Sequence, residues 1–219
     1  MAYTANDIIS RVQARLKDAS ISNTNILQFI NDVNREICNR YALDFMQTSA
    51  SFIATVGDNT YALSSIAADI QQLYSLRITS PDNAELYLQP MTAEEFDRVI
   101  PDIASQTQGA PTKYYLWGDV INLYPVPDQS YTIEARYIKV PTTLISSSQP
   151  DIPEEYNEIV VLGALYRAMQ TNDNYDQAMI IKSQMDTQVV DMIKRLRVFP
   201  AGQNRIMPTR LRRINEGIL

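Results

Sequence analysis

The sequence predicts an α+β fold, with helices and antiparallel strands kept apart along the chain. Apolar residues recur at helical spacing near the N-terminus and again beyond residue 152. Short runs of period two, broken by turn dipeptides, fill the stretch between. The two patterns do not alternate, which argues against a parallel α/β fold.

The first helix is predicted over residues 5–18, with Thr4 and Asp7 as a capping pair and Ile8, Ile9, Val12 and Leu16 on its apolar side. A polar turn, 20–25, leads to a second helix with Ile26, Ile30, Val33, Ile37 and Tyr41 on one stripe, widened by Phe29. The pair reads as an αα-hairpin. Residues 49–56 and 60–63 then read as a strand pair around Gly57-Asp58-Asn59, and 70–79 with 85–89 as another around Ser80-Pro81-Asp82-Asn83. Thr92-Ala93-Glu94-Glu95 is a capping box, and Met91 with Phe96 a hydrophobic staple, so a short helix should run from 93 to 99 and stop before Pro101.

The clearest hairpin pairs 113–117 with 120–124 around Gly118-Asp119. Residues 131–138 alternate Tyr131, Ile133, Ala135 and Tyr137 against Thr132, Glu134 and Arg136, a half-buried antiparallel strand. Residues 139–150, with two prolines and three consecutive serines, read as a linker. Pro153 and the acids Glu154 and Glu155 suit a helix start. The helix 154–171 is apolar nearly all round and should be buried by its own fold or by neighbours. After a break at 171–174, a last helix should reach Arg197 before Pro200. The remainder, 199–219, has two prolines, four arginines and no helical stripe, and reads as an extended arm.

Composition narrows the chemistry. The chain has 219 residues, 45% hydrophobic and 20% charged, enough to bury a core without staples. Histidine is absent, which removes the usual general base and zinc ligand. The one cysteine, Cys38, allows no internal disulfide and reads as a small buried hydrophobe. No apolar run has membrane-spanning length, and no signal peptide opens the chain, so the product is expected to stay in the cytoplasm or travel within an assembly. Phosphate-binding and nucleophile motifs are missing. The acid pairs Glu94-Glu95 and Glu154-Glu155 fall in first helical turns, where the dipole favours them, so they read as caps more readily than as a catalytic pair. Asp173, Asp176, Asp186 and Asp191 lack the spacing of a calcium loop.

Charge is unevenly spread. Residues 1–193 carry 12 basic and 24 acidic side chains, whereas 194–219 carry seven basic and one acidic. An acidic body thus precedes a basic tail. The tail admits three readings: phosphate binding, a solvated end, or an assembly arm. Its interspersed apolar residues favour the arm, since a pure phosphate binder does not need them. Tyr114, Tyr115, Tyr124, Tyr131 and Tyr137 cluster with Trp117 on the predicted strands. A base-stacking platform is one reading, but the nearby charges are mixed, which favours ordinary sheet packing with polar tips at an interface.

One ordered set of features is more specific. Gly109, Pro111 and Tyr114 lead into the Gly118-Asp119 hairpin, whose second strand ends in Pro125-Val126-Pro127. A Tyr-rich strand follows, then the proline-containing linker, then Ile152-Pro153-Glu154-Glu155 before a long apolar helix. With the N-terminal helical pair and Tyr61-Ala62-Leu63, this set resembles the head-to-tail adaptor (connector) proteins of short-tailed bacteriophages, over residues 8–197.

The resemblance implies a structural virion protein without catalysis, cofactor, metal or membrane contact. It implies a homo-oligomeric, dodecameric ring between portal protein and tail or nozzle proteins, with double-stranded DNA passing through unread. Residues 1–198 would form the body, a helical bundle of 5–45 and 152–198 with an inserted β-region, 49–140, and 199–219 an arm. Phe199, Arg205, Ile206, Met207, Arg210, Leu211, Arg212, Arg213, Ile214, Ile218 and Leu219 would dock on the portal, and Tyr114, Tyr115, Trp117 and Asp119 would face the tail. The competing readings are a nucleic-acid-binding packaging factor, which the acidic body argues against, a cell-wall hydrolase working through two carboxylates, and another neck or tail completion protein.

Overall fold

A computed structural model describes residues 3–16, 21–41, 43–79, 86–99 and 108–196. Among these, the chain runs α1 (Ala5–Leu16), α2 (Asn23–Arg40), β1 (Gln47–Ala54), β2 (Thr60–Ala62), α3 (Leu63–Ile66), β3 (Ile70–Ile78), β4 (Leu86–Tyr87) and β5 (Gln89–Met91). It continues through α4 (Ala93–Val99), β6 (Lys113–Trp117), β7 (Val120–Tyr124), β8 (Tyr131–Lys139), α5 (Asn157–Thr171) and α6 (Tyr175–Leu196). The fold is α+β.

Local signals set the element ends. At α1, Thr4 N–H donates to Asp7 Oδ2 at 2.9 Å while Asp7 N–H donates to Thr4 Oγ1 at 3.3 Å, so the two residues cap each other. Thr92 and Glu95 repeat the device at α4, at 3.0 and 3.2 Å. Ser22 Oγ accepts from Asn25 N–H at the start of α2. Gly118, at φ +58°, lets β6 and β7 turn in two residues, and the register pairs Trp117 with Val120. Asp173, at φ +55°, breaks the chain between α5 and α6.

Two cores result. The helical core takes Ile8, Ile26, Ile30, Ile37, Val160 and Ala164 among others, and α5 lies at its centre against α1, α2 and α6. The near-uniform apolarity of α5 is thus satisfied within its own chain. Two four-stranded sheets, ordered β1-β8-β3-β4 and β2-β7-β6-β5, share the second core through residues such as Leu76, Ile133, Ile121 and Leu123. Ile138, near the end of β8, packs on the helical core and so ties the sheets to the bundle.

Three sequence expectations change. The runs at 49–56 and 60–63 do not pair with each other. β1 pairs with β8 and β2 with β7, so the Gly57 turn carries the chain between sheets. The strands are not all antiparallel, because β5 lies parallel to β6. The segment after β8 is no loose linker: Pro141, Leu144 and Pro150 are buried, and Ser146 and Ser148 carbonyls accept from the N–H groups of Asn6 and Ala5. The pair read at 70–79 and 85–89 forms in part: Leu86 and Tyr87 pair with Ile78 and Arg77, whereas Gln89 begins β5 of the other sheet.

Candidate assembly surfaces

In α6, Ala178, Val189 and Met192 point into the core, and Ile181, Met185 and Ile193 are partly covered. Elsewhere α6 exposes Tyr175, Met179, Ile180 and Val190, an unusual amount of apolar surface for a helix facing water. A groove of about 300 Å³ runs between α6, α5 and α2. Its floor is tight: a Cβ on Gly163 would stand 2.7 Å from Val33 Cγ1 and 3.2 Å from Met185 Sδ. Arg167 closes one wall by donating to Glu36 Oε2 at 2.9 Å, with Asp32 at 3.8 Å.

The second surface is the outer face of the β2-β7-β6-β5 sheet. Tyr115, Trp117, Asn122 and Tyr124 share this face by register. α4 covers part of it: the Phe96 ring stacks 4.4 Å from Tyr115 and 5.8 Å, edge-on, from Tyr124. Beyond the reach of α4, Trp117 stands 70% exposed on this face, while Leu116, 40% exposed, points to the other face of the strand. Asp119, at the hairpin tip, is exposed, and its carbonyl accepts from Leu63 N–H at 2.8 Å.

The residues singled out from sequence therefore separate. Tyr114 is only 5% exposed, faces the β-core and has its phenol pushed up by burial, so it offers no surface to a partner. Tyr115 is half-buried, with burial and then the Asp97 charge raising its phenol. Trp117 and Asp119 remain presentable. Tyr131 and Tyr137 lie on the other sheet, away from Trp117; their hydroxyls donate to Asp128 at 2.7 Å and to Asp69 at 2.9 Å. The five tyrosines thus do not form one stacking platform. Phe199, Arg205, Ile206, Met207, Arg210, Leu211, Arg212, Arg213, Ile214, Ile218 and Leu219 lie outside the described residues.

Sequence reasoning missed the clasp that holds the bundle to the sheets. Asp151, its side chain 5% exposed, accepts from Lys139 Nζ at 2.8 Å, Thr142 N–H at 2.7 Å, Thr142 Oγ1 at 3.0 Å and Asn34 Nδ2 at 3.1 Å. Burial disfavours its charge, but these donors together hold the carboxyl below its usual range. The available signal was Asn34, an amide on the buried side of α2, which needs a partner from elsewhere.

A sequence model of the family described as SU10 adaptor protein matches residues 3–212. The chain belongs to the SU10 adaptor protein family. The match takes in both cores, both surfaces and most of the basic tail, so the adaptor description applies to the whole chain and not to a fragment of it. No curated protein matches it. As a phage adaptor it is a structural protein, and no helix of the described residues is long and apolar enough to cross a membrane.

Proposed function

We propose that this adaptor assembles into a closed, dodecameric ring in the neck of a tailed virion, joining the portal protein to tail or nozzle proteins and continuing the channel for double-stranded DNA. The family match over residues 3–212 carries the reading. A ring that closes by rotation needs two different faces on each protomer, and the exposed apolar side of α6 supplies a candidate for one. The acidic excess over residues 1–193 suits a channel wall, where like charge lets the duplex slide without being held.

In this reading 1–198 is the body and 199–219 the arm. The arm docks on the portal through its arginines and through apolar anchors such as Phe199, Ile206, Leu211 and Ile214, while Trp117 and Asp119 face the tail. The protein works by contact, without turnover, in virion assembly and DNA ejection. It is made in the host cytoplasm and carried in the particle. Deleting 199–219 tests the assignment: portal capture is lost while the circular dichroism of the body is kept. Undiminished capture by the truncated chain would contradict it.

A further inference from the structure

Residues spaced at alternating steps of four and three share one side of a helix, and such a series with apolar members presents a seam to a second helix. On α6 the series is Met179, Ser183, Asp186 and Val190. Met179 is 61% and Val190 47% exposed, while other residues of α6 pack on α5. A shallow hollow lies along this side, lined by Met179, Ser183, Thr187 and Val190 among others. Tyr175 and Ile180 extend the apolar surface toward the start of the helix.

The charges on this side are ordered. Asp176 lies just before Met179 and Lys194 just after Val190, with Lys182 and Asp186 between. Among the described residues, none of these four makes an ion pair. Lys182 Nζ stands 5.7 Å from the centre of the Tyr166 ring. Within one helix, a base four residues ahead of an acid is the weaker order for a pair. The series is complementary to itself when reversed. The midpoints of Met179 and Val190, of Lys182 and Asp186, and of Asp176 and Lys194 all fall at 184 to 185. An antiparallel copy of α6 centred there sets apolar against apolar and acid against base.

We propose that α6 pairs antiparallel with α6 of a second copy of this chain, about a two-fold axis beside Gln184 and Met185. Met179 of each copy packs on Val190 of the other, Lys182 faces Asp186, and Asp176 faces Lys194. Both kinds of ion pair form twice and offset the repulsion between copies that each carry a net charge of −6. The small Ser183 lets the two helices approach at the middle. Asp191, one residue and so about 100° beyond Val190, falls to the flank of the seam. Charge order favours a second copy over an unrelated helix, which would need these charges in reverse, as this chain supplies them. The pairing goes beyond the ring reading. A two-fold pair closes with two copies through one shared face, whereas a ring joins unlike faces. The pair belongs to the chain before assembly and covers a side of α6 that a ring neighbour would otherwise meet.

Sedimentation equilibrium of the full-length chain without portal tests this, with Lys182→Asp, Asp186→Lys and the variant carrying both changes. The wild-type chain is expected to form dimers. Each single change sets like charges against each other and should weaken dimerisation at least about tenfold. The double variant exchanges the two charges and should return to within about threefold of wild type. Asp176→Lys and Lys194→Asp, at exposed positions, repeat the comparison away from the Tyr166 contact, and circular dichroism checks the fold of every variant. A wild-type chain monomeric at every concentration would overturn the pair. So would dimers indifferent to the single reversals, or a double variant no better than either single. Mixing with portal reads the ring separately: annular particles from a chain that never dimerises sink the pair alone, and dimers that never assemble on portal sink the ring alone.

Discussion

The side-chain amide of Asn31 pairs with the backbone of Leu144 in both directions, accepting from its N–H at 2.6 Å and donating to its carbonyl at 3.0 Å. An amide side chain here takes the place of a neighbouring strand. It satisfies two main-chain groups of a segment that has no ladder of its own and lets the Leu144 side chain enter the helical core.

Asn31→Ala should therefore cost about 1–3 kcal/mol, the penalty for leaving part-buried polar groups without partners. Chemical denaturation measures this, and hydrogen exchange should speed up in 140–150 before it does in α5. A variant with wild-type stability would show that Leu144 finds other partners.

Helix α2 meets α5 at the Val33–Gly163 contact, where a methyl at Gly163 has no room. Gly163→Ala should destabilise the fold by about 1–3 kcal/mol through overpacking, despite alanine's better helix propensity. Val33→Ala in the same chain should recover part of the loss. A double-mutant cycle reads this as a coupling that differs from zero.

Asp151 links stability to pH. Its folded-state pKa lies below the ordinary value of 3.8, so its contribution is fully present well above pH 3.8 and is lost as pH falls through the depressed folded value. Glu134 behaves in the same way: the Arg77 side chain, then Ser49 and Arg136, outweigh the burial that opposes its charge. Acid unfolding below about pH 4 should become shallower in Asp151→Asn, although that variant is less stable at pH 7. An unchanged acid limb would remove Asp151 from the account.

Much of this local structure was legible in the sequence, because its causes lie within a few residues of their effects. The Thr4–Asp7 and Thr92–Glu95 boxes and the Gly118-Asp119 turn belong to this group. What was not legible depends on residues far apart. Ala54 pairs with Tyr131 rather than across the adjacent Gly57 turn, and a turn signal does not say whether the next strand stays in the same sheet. Residues 139–150 look like a linker because their anchors, Asn31 and Asn34, lie more than a hundred positions away. Tyr114 and Trp117 stand three positions apart on one strand and so on opposite faces; which of those faces is covered depends on the packing of the two sheets, which buries Tyr114 and leaves Trp117 exposed.

Cys38 gives a probe of opening. Burial, then the nearby Asp151 charge, pushes its thiol up to about 12, against a smaller opposing effect of Lys139. Thiol reagents at pH 8 should modify it only through unfolding, so the labelling rate should follow denaturant dependence with the global slope. Rapid labelling of the native chain would show that α2 opens on its own.

Ring assembly on the portal is tested by mixing the purified chain with portal protein and imaging the product by electron microscopy. Ring assembly predicts an annular density of many copies seated on the portal, coaxial with its channel. A chain that stays separate from portal, or binds as a single copy without closing a ring, would contradict it.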